Sequence, residues 1–276
     1  GKRYWTIEQV QDGENPFVKL SYLSKDMEEG YPGNLKSTVT YKLVGPSLFI
    51  IHEATTDKAT PVNLTNHSYF NLDGAETIDH WDLRLSCPEY LETDAKLLPT
   101  GKLVSVKNSK YDFLEMKKIG QVRLDTPFVM DSSLKEKTML ASQKSGLSME
   151  VITNQPGVVV YTPLAFAAIC FETQNFPDAP NQPHFPNSIL QPGETYYNES
   201  EFRFSFNSEI PDWGVTILSG GKKTTRNIEA DVLQISVPVQ QLSQPIESLS
   251  IIFEENEQLY LSLAWDKTKV SLPIKK

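Results

Sequence analysis

The sequence predicts an all-β protein, built as a large antiparallel β-sandwich. Three observations carry this expectation. Apolar and polar residues alternate with a period of two through most runs, as half-buried strands do. The 18 prolines and 14 glycines fall mainly between those runs, as turn punctuation. Long stripes with a 3.6-residue period are absent, and the helical candidates are short, residues 115–119 being an example.

Taken in order, residues 38–44 and 48–54 read as two strands joined at Gly45-Pro46. Residues 62–70 read as a further strand that carries His67. Strands follow at 81–87, 102–106, 148–153, 158–162 and 168–172. Residues 201–206 alternate cleanly and put Phe202, Phe204 and Phe206 on one face. Strands this numerous bury their apolar faces only by packing sheet on sheet.

Residues 1–206 are thus expected to form one β-sandwich domain. A second organisation begins near Asn207. Pro211-Asp212-Trp213 opens a strand-like run at 215–218, and a polar loop follows at 219–227. Four more strands are expected at 232–237, 248–253, 259–265 and 270–274, with Leu259, Leu261, Leu263 and Trp265 sharing a face. Residues 207–276 would then be a small C-terminal β unit. About 70 residues is marginal for an independent core, so docking on the first unit is expected.

Composition narrows the partners. Of the 276 residues, 39% are hydrophobic and 22% charged, enough for a real core. The net charge of −9 speaks against nucleic acid, which needs a concentrated cationic face. Lys117–Lys118 and Lys222–Lys223 are only pairs. No apolar run approaches the ~20 residues that span a bilayer, so no membrane association is expected. The start, Gly1-Lys2-Arg3-Tyr4-Trp5, has no apolar signal-peptide core and no initiator Met. The expectation is a cytoplasmic chain that begins inside a larger ancestral domain. Cys87 and Cys170 have no close spacing and read as buried free thiols of a reducing compartment.

The chemistry concentrates in residues 60–72, T-P-V-N-L-T-N-H-S-Y-F-N-L. His67 is a titratable group near neutral pH, set beside the amide of Asn66 and the rings of Tyr69 and Phe70. Amides for hydroxyls and a ring for an apolar face suit a polar, ring-shaped ligand such as a sugar, with at least one of the two rings expected in the core. His52, His67, His80 and His184 lack i,i+2 or i,i+4 spacing, so no metal is expected. No GxSxG elbow is present for a serine hydrolase. A second notable segment is C-F-E-T-Q-N-F-P-D-A-P-N at 170–181, where Glu172 closes an apolar strand. Taken alone, a carboxylate there is either a rim salt bridge or a partly desolvated functional group. The turn-like stretch Asn175–Asp178 has little reason to be apolar unless it frames a site.

Together these segments resemble the aldose 1-epimerase (galactose mutarotase) family. The resemblance covers about residues 1–206 and includes E-G-Y-P-G-N-L at 29–35, A-T-T-D-K at 54–58, P-V-N-L-T-N-H-S-Y-F-N-L at 61–72, L-P-T-G at 98–101, E-T-Q-N-F-P-D-A at 172–179 and P-G-E-T-Y at 192–196. It implies the family's galactose mutarotase-like supersandwich, incomplete at the N-terminus. It implies His67 as general acid, Glu172 as general base and Asp125 as a sugar-binding aspartate, with Asn66 and Tyr69 as further substrate-binding candidates. The reaction would be interconversion of the α and β anomers of an aldohexose such as glucose or galactose. It needs no metal or cofactor, only an ionised carboxylate and a protonated imidazole on different sides of the sugar.

The pattern also departs from the family. A histidine in an L-H-G-G motif and a sugar-binding arginine belong upstream of Gly1. Thr126 follows Asp125 where the family has histidine, and Val158-Val159-Val160 is aliphatic where the family often carries glutamine. The last 70 or so residues resemble the end of a small bacterial β family of unknown function. Three readings follow: an epimerase with reduced or lost activity, a non-catalytic sugar-binding module, and an inactive fragment or fusion product.

Overall fold

A computed structural model describes residues 3–135, 137–206, 239–255 and 259–274. Two antiparallel sheets pack face to face. The larger has nine strands. In chain order these are β1 (Thr6–Gln11), β2 (Phe17–Ser24), β3 (Leu35–Val44), β4 (Ser47–Thr56), β6 (Asp82–Arg84), β9 (Lys117–Lys118), β11 (Thr138–Ala141), β12 (Leu147–Thr153) and β16 (Tyr196–Phe206). Their spatial order is β1-β2-β3-β4-β16-β12-β11-β6-β9. The smaller sheet holds β7 (Glu89–Thr93), β8 (Pro99–Ser105), β10 (Asp125–Val129), β13 (Gly157–Tyr161) and β14 (Cys170–Gln174), in the order β14-β13-β10-β7-β8. Two short strands, β5 (Thr60–Pro61) and β15 (Ile189–Leu190), pair with each other.

The alternation seen in the sequence is the packing pattern. On β4, Leu48, Ile50, His52 and Ala54 are buried. On β12 the buried set is Leu147, Met149 and Val151, and on β16 it includes Phe202 and Phe204. Leu48, Ile50 and the β12 and β16 side chains meet Phe128 of β10, Val158 and Val160 of β13 and Phe171 of β14 in one core cluster, while Ala54 packs with Val62 and Leu190 in a smaller one. Burial of apolar area between two sheets is what holds them together. The β3–β4 turn is tight, with Val44 paired to Ser47. Gly45 supplies a φ of 53°, the positive value that two-residue hairpin turns favour.

Toward one end the core turns polar. Thr173 of β14 and Ser200 of β16 share a 2.5 Å hydrogen bond between hydroxyls, and Ser200 lies 3.1 Å from the Thr153 hydroxyl. The Thr173–Ser200 bond joins the two sheets at the residue next to Glu172, and the Thr153 contact lies within the larger sheet.

Three expectations change. Residues 62–70 are not a strand: only Phe70 makes an isolated β-bridge, with Ile169. Residues 115–119 are not helical. Lys117–Lys118 forms β9 and pairs with β6, and the described helices are two short 3-10 turns, Glu28–Gly30 and Ala179–Asn181. In the C-terminal stretch, the separate strands expected at 259–265 and 270–274 are one continuous strand, β18 (Leu259–Ile274), paired with β17 (Val239–Glu255). The expected strands at 215–218 and 232–237 lie outside the described residues.

Candidate active site

The outer face of the five-stranded sheet collects the candidate residues by register. On β14, Phe171 and Thr173 point into the core, so Cys170, Glu172 and Gln174 share the opposite face. Pairing across β13 and β10 places Asp125, Tyr161 and Cys170 in one row. Pro127, Val159 and Glu172 form the next row. The position beside Glu172 is therefore aliphatic and offers no polar atom.

Beyond that row the face is closed. Phe176 and Phe185 pack edge to face, with centroids 5.2 Å apart, and form a small second core with Leu91, Ala179 and Val129. The apolar content of the Asn175–Asp178 turn is thereby accounted for: it frames one end of the site.

β14 has β13 on one side. Residues 63–70 run along its other side. Asn63 Nδ2 donates to the Asn175 carbonyl at 2.9 Å, and the Asn175 N–H donates back to Asn63 Oδ1 at 2.9 Å. The Thr65 hydroxyl donates to the Thr173 carbonyl at 3.0 Å. At the far end Phe70 and Ile169 exchange backbone hydrogen bonds of 2.9 and 3.0 Å. This strap is laced to β14 at both ends, and His67 sits between the lacings.

The result is a direct contact: His67 Nε2 lies 3.2 Å from Glu172 Oε1. The imidazole is half exposed, while only 14% of the Glu172 side chain is. Three rings stand around the pair. Tyr69 and Tyr161 lie 4.9 and 5.7 Å from the His67 ring, and Phe166 lies 5.1 Å from Tyr69. Burial raises the carboxyl pKa of Glu172 above the ordinary range. The charge of His67 opposes that rise and the charge of Asp125 adds to it. Ionising Glu172 is thus costlier here than in water. Burial also pushes the Cys170 thiol up to about 12.

The sequence candidates separate cleanly in space. His67, Glu172 and Tyr69 meet. Asp125 is exposed at the start of β10, close enough for its charge to act on Glu172. Of the aromatic pair, Tyr69 is 46% exposed and Phe70 is the core member at 4%. Asn66 is turned inward: it is 6% exposed, its Oδ1 accepts the Ser68 N–H at 3.3 Å, and its buried Nδ2 has no partner. Tyr161 and Phe166 carry no signal in the sequence, and Cys170 reads there as a buried free thiol, which it is, without its place beside His67. Cys170 had a readable signal, since it stands two residues before Glu172 on a strand. Among the described residues no group of three or more His, Cys, Asp or Glu side chains is placed to hold a metal ion. No helix among them is long and apolar enough to cross a membrane.

An antiparallel sandwich thus carries an imidazole–carboxylate contact on an aromatic outer face. The family model for aldose 1-epimerase matches residues 1–203, and the chain belongs to that family. A second model, for a protein of unknown function (DUF2911), matches residues 195–274. Human galactose mutarotase is 38% identical over 231 residues, which cover 74% of this chain and 66% of that protein. Aldose 1-epimerase of Haemophilus influenzae is 37% identical over 234 residues, 74% of this chain and 68% of that one. The chain therefore spans about two thirds of the length of these relatives. Among solved structures, an aldose epimerase homologue from C. elegans superposes with a TM-score of 0.69 at 29% identity, covering 74% of this chain and 69% of that one. Galactose 1-epimerase from Lactobacillus acidophilus gives 0.66 at 27% identity, covering 73% and 66%.

Proposed function

We propose that this site interconverts the α and β anomers of an aldohexose such as glucose or galactose. The observation that carries the reading is the His67–Glu172 pair, 3.2 Å apart on a face walled by Tyr69, Tyr161 and Phe166. Glu172, as carboxylate, takes the proton of the C1 hydroxyl. His67, as imidazolium, gives its proton to the ring oxygen. The bond from C1 to the ring oxygen breaks and leaves an open-chain aldehyde. After rotation about the C1–C2 bond, the C5 hydroxyl adds to the other face of the carbonyl. His67 recovers its proton from that hydroxyl, and Glu172 returns its own to the new C1 oxygen. No net proton or electron is consumed.

The raised Glu172 pKa supports this role, because a general base works best with a pKa near the working pH. In the proposed complex the reacting edge of the sugar replaces the direct His67–Glu172 contact. Asp125 accepts hydrogen bonds from sugar hydroxyls, and Tyr69 covers an apolar sugar face. Asn66, with its amide buried, supports the turn that carries His67 by accepting the Ser68 N–H. The buried free thiols Cys87 and Cys170 fit a cytoplasmic setting.

Polarimetry of freshly dissolved α-D-glucose and α-D-galactose tests the reading. The full chain should speed the approach to equilibrium, and His67→Ala or Glu172→Gln should abolish the gain. Folded protein that adds nothing to the buffer rate for either sugar rejects it.

A further inference from the structure

Polar groups follow one another in a fixed order along β14. His67 sits over the stretch between Cys170 and Glu172, with Nδ1 3.4 Å from Cys170 Sγ and Nε2 3.2 Å from Glu172 Oε1. Two residues further on, Gln174 shares the outer face with Glu172. Its side chain meets the start of the strap, where Asn63 Nδ2 lies 3.3 Å from Gln174 Oε1.

The backbone decides which way this amide points. Asn63 Oδ1 accepts the Asn175 N–H and Asn63 Nδ2 donates to the Asn175 carbonyl, so both ends of the Asn63 amide are fixed. A nitrogen facing Gln174 calls for an oxygen in return. Gln174 therefore turns Oε1 to the strap and Nε2 away from it, and among the described residues nothing accepts from Nε2. The neighbours on the sheet supply no substitute donor. Val159 and Pro127 fill the row beside Glu172 with aliphatic carbon, and Gly157, paired with Gln174, lies against the Phe176 ring.

We propose that Gln174 is a specificity-determining residue whose Nε2 donates to the hydroxyl on C2 of the sugar. The proposal rests on the roles given to His67 and Glu172 above. In a pyranose, C1 carries the ring oxygen on one side and C2 on the other. With the ring oxygen at His67 and the C1 hydroxyl at Glu172, C2 lies on the side of Glu172 away from His67, which is the side of Gln174. The order His67, Glu172, Gln174 along the strand then matches the order ring oxygen, C1 hydroxyl, C2 hydroxyl around the sugar. The substrate class narrows to aldoses that keep the C2 hydroxyl. A 2-deoxy sugar leaves Nε2 without a partner, and a site built to hydrogen-bond a hydroxyl discriminates against the analogue that lacks it.

The test is a cycle of two sugars and two proteins, run by polarimetry on the full chain. D-Glucose is compared with 2-deoxy-D-glucose, and each kcat/KM is divided by that sugar's rate in buffer, because the two open at different rates unaided. Wild type should favour glucose about tenfold, as one hydrogen bond in a partly closed site predicts. Gln174→Ala should narrow that ratio to about twofold, through a loss on glucose. A role confined to holding the strap would slow both sugars alike and leave the ratio at its wild-type value. That result overturns the proposal, as does a wild type with no preference for glucose. If the alanine variant does not fold, Gln174→Met, which keeps the length and loses the donor, carries the same comparison. Folded wild type that turns over neither sugar would reject the acid–base reading, and calorimetric affinities for the two sugars would then decide the role of Gln174. A glucose preference lost in the variant supports it; an unchanged preference, or no binding of either sugar, overturns it.

Discussion

Asn198 reaches out of the nine-stranded sheet and donates from Nδ2 to the carbonyl oxygen of Leu64 at 2.8 Å. The same nitrogen donates to the Thr173 carbonyl at 2.9 Å. One fully buried amide thus clamps the strap that carries His67 to the strand that carries Glu172. Asn198→Ala leaves two carbonyls without this donor and should cost about 2 kcal/mol in chemical denaturation. It should also cost more than tenfold in kcat, because the proposed acid His67 and base Glu172 lose their common anchor. Full activity in the variant would show that the clamp does not set the geometry.

Tyr69 is expected to act on binding. The cover proposed for the sugar's apolar face is lost in Tyr69→Ala, and KM should rise roughly threefold to tenfold with kcat nearly unchanged. Saturation kinetics by polarimetry separates the two constants. A fall in kcat at constant KM would place Tyr69 in the chemistry instead.

Glu172 should trade stability for function. Its folded pKa is raised above the ordinary 4.5, so protonation favours the folded state. The associated stability is fully present below the ordinary carboxylate range and is lost as pH rises through the folded value. Glu172→Gln should therefore melt higher than wild type at pH 8, with the gap closing toward pH 4. Activity should fall at least a hundredfold. Thermal melts across that range check the sign.

His52 makes the opposite demand. It faces the core of β4 between Val39 and Asn198, with Nδ1 unpartnered, and burial pushes its pKa down to about 4 from 6.5. The unfolded chain takes up the proton first, so stability falls as pH drops from 6.5 to 4. The full loss is about 3 kcal/mol. His52→Leu should flatten this acid arm in denaturation midpoints measured at pH 7 and pH 4. A slope equal to wild type would assign the arm to other groups.

Much of the sandwich is legible in the sequence because β3, β4, β12, β13, β14 and β16 bury alternate residues. β1 is all exposed and carries no such signal. Residues 62–70 alternate as a strand does, but their backbone is bonded largely by side chains such as Asn198 and the Tyr196 hydroxyl, which receives the Leu64 N–H. Periodicity cannot distinguish those two solutions. The pairing of His67 with Glu172 joins positions far apart in the chain, and spacing alone cannot reveal it. The family resemblance named both residues, and the register of β14 with the strap explains how they meet. Asn198 carried no local signal, because its role depends on two carbonyls brought in from elsewhere.

The strap along β14 has a consequence for how the protein survives in solution. A strand with one bare side offers its N–H and C=O groups to any other extended chain, and aggregation begins at such edges. Here the residues that hold the imidazole also occupy that side. Substitutions at Asn63, Thr65 or Asn198 would then be selected against twice, first as insoluble protein and only afterwards as lost chemistry.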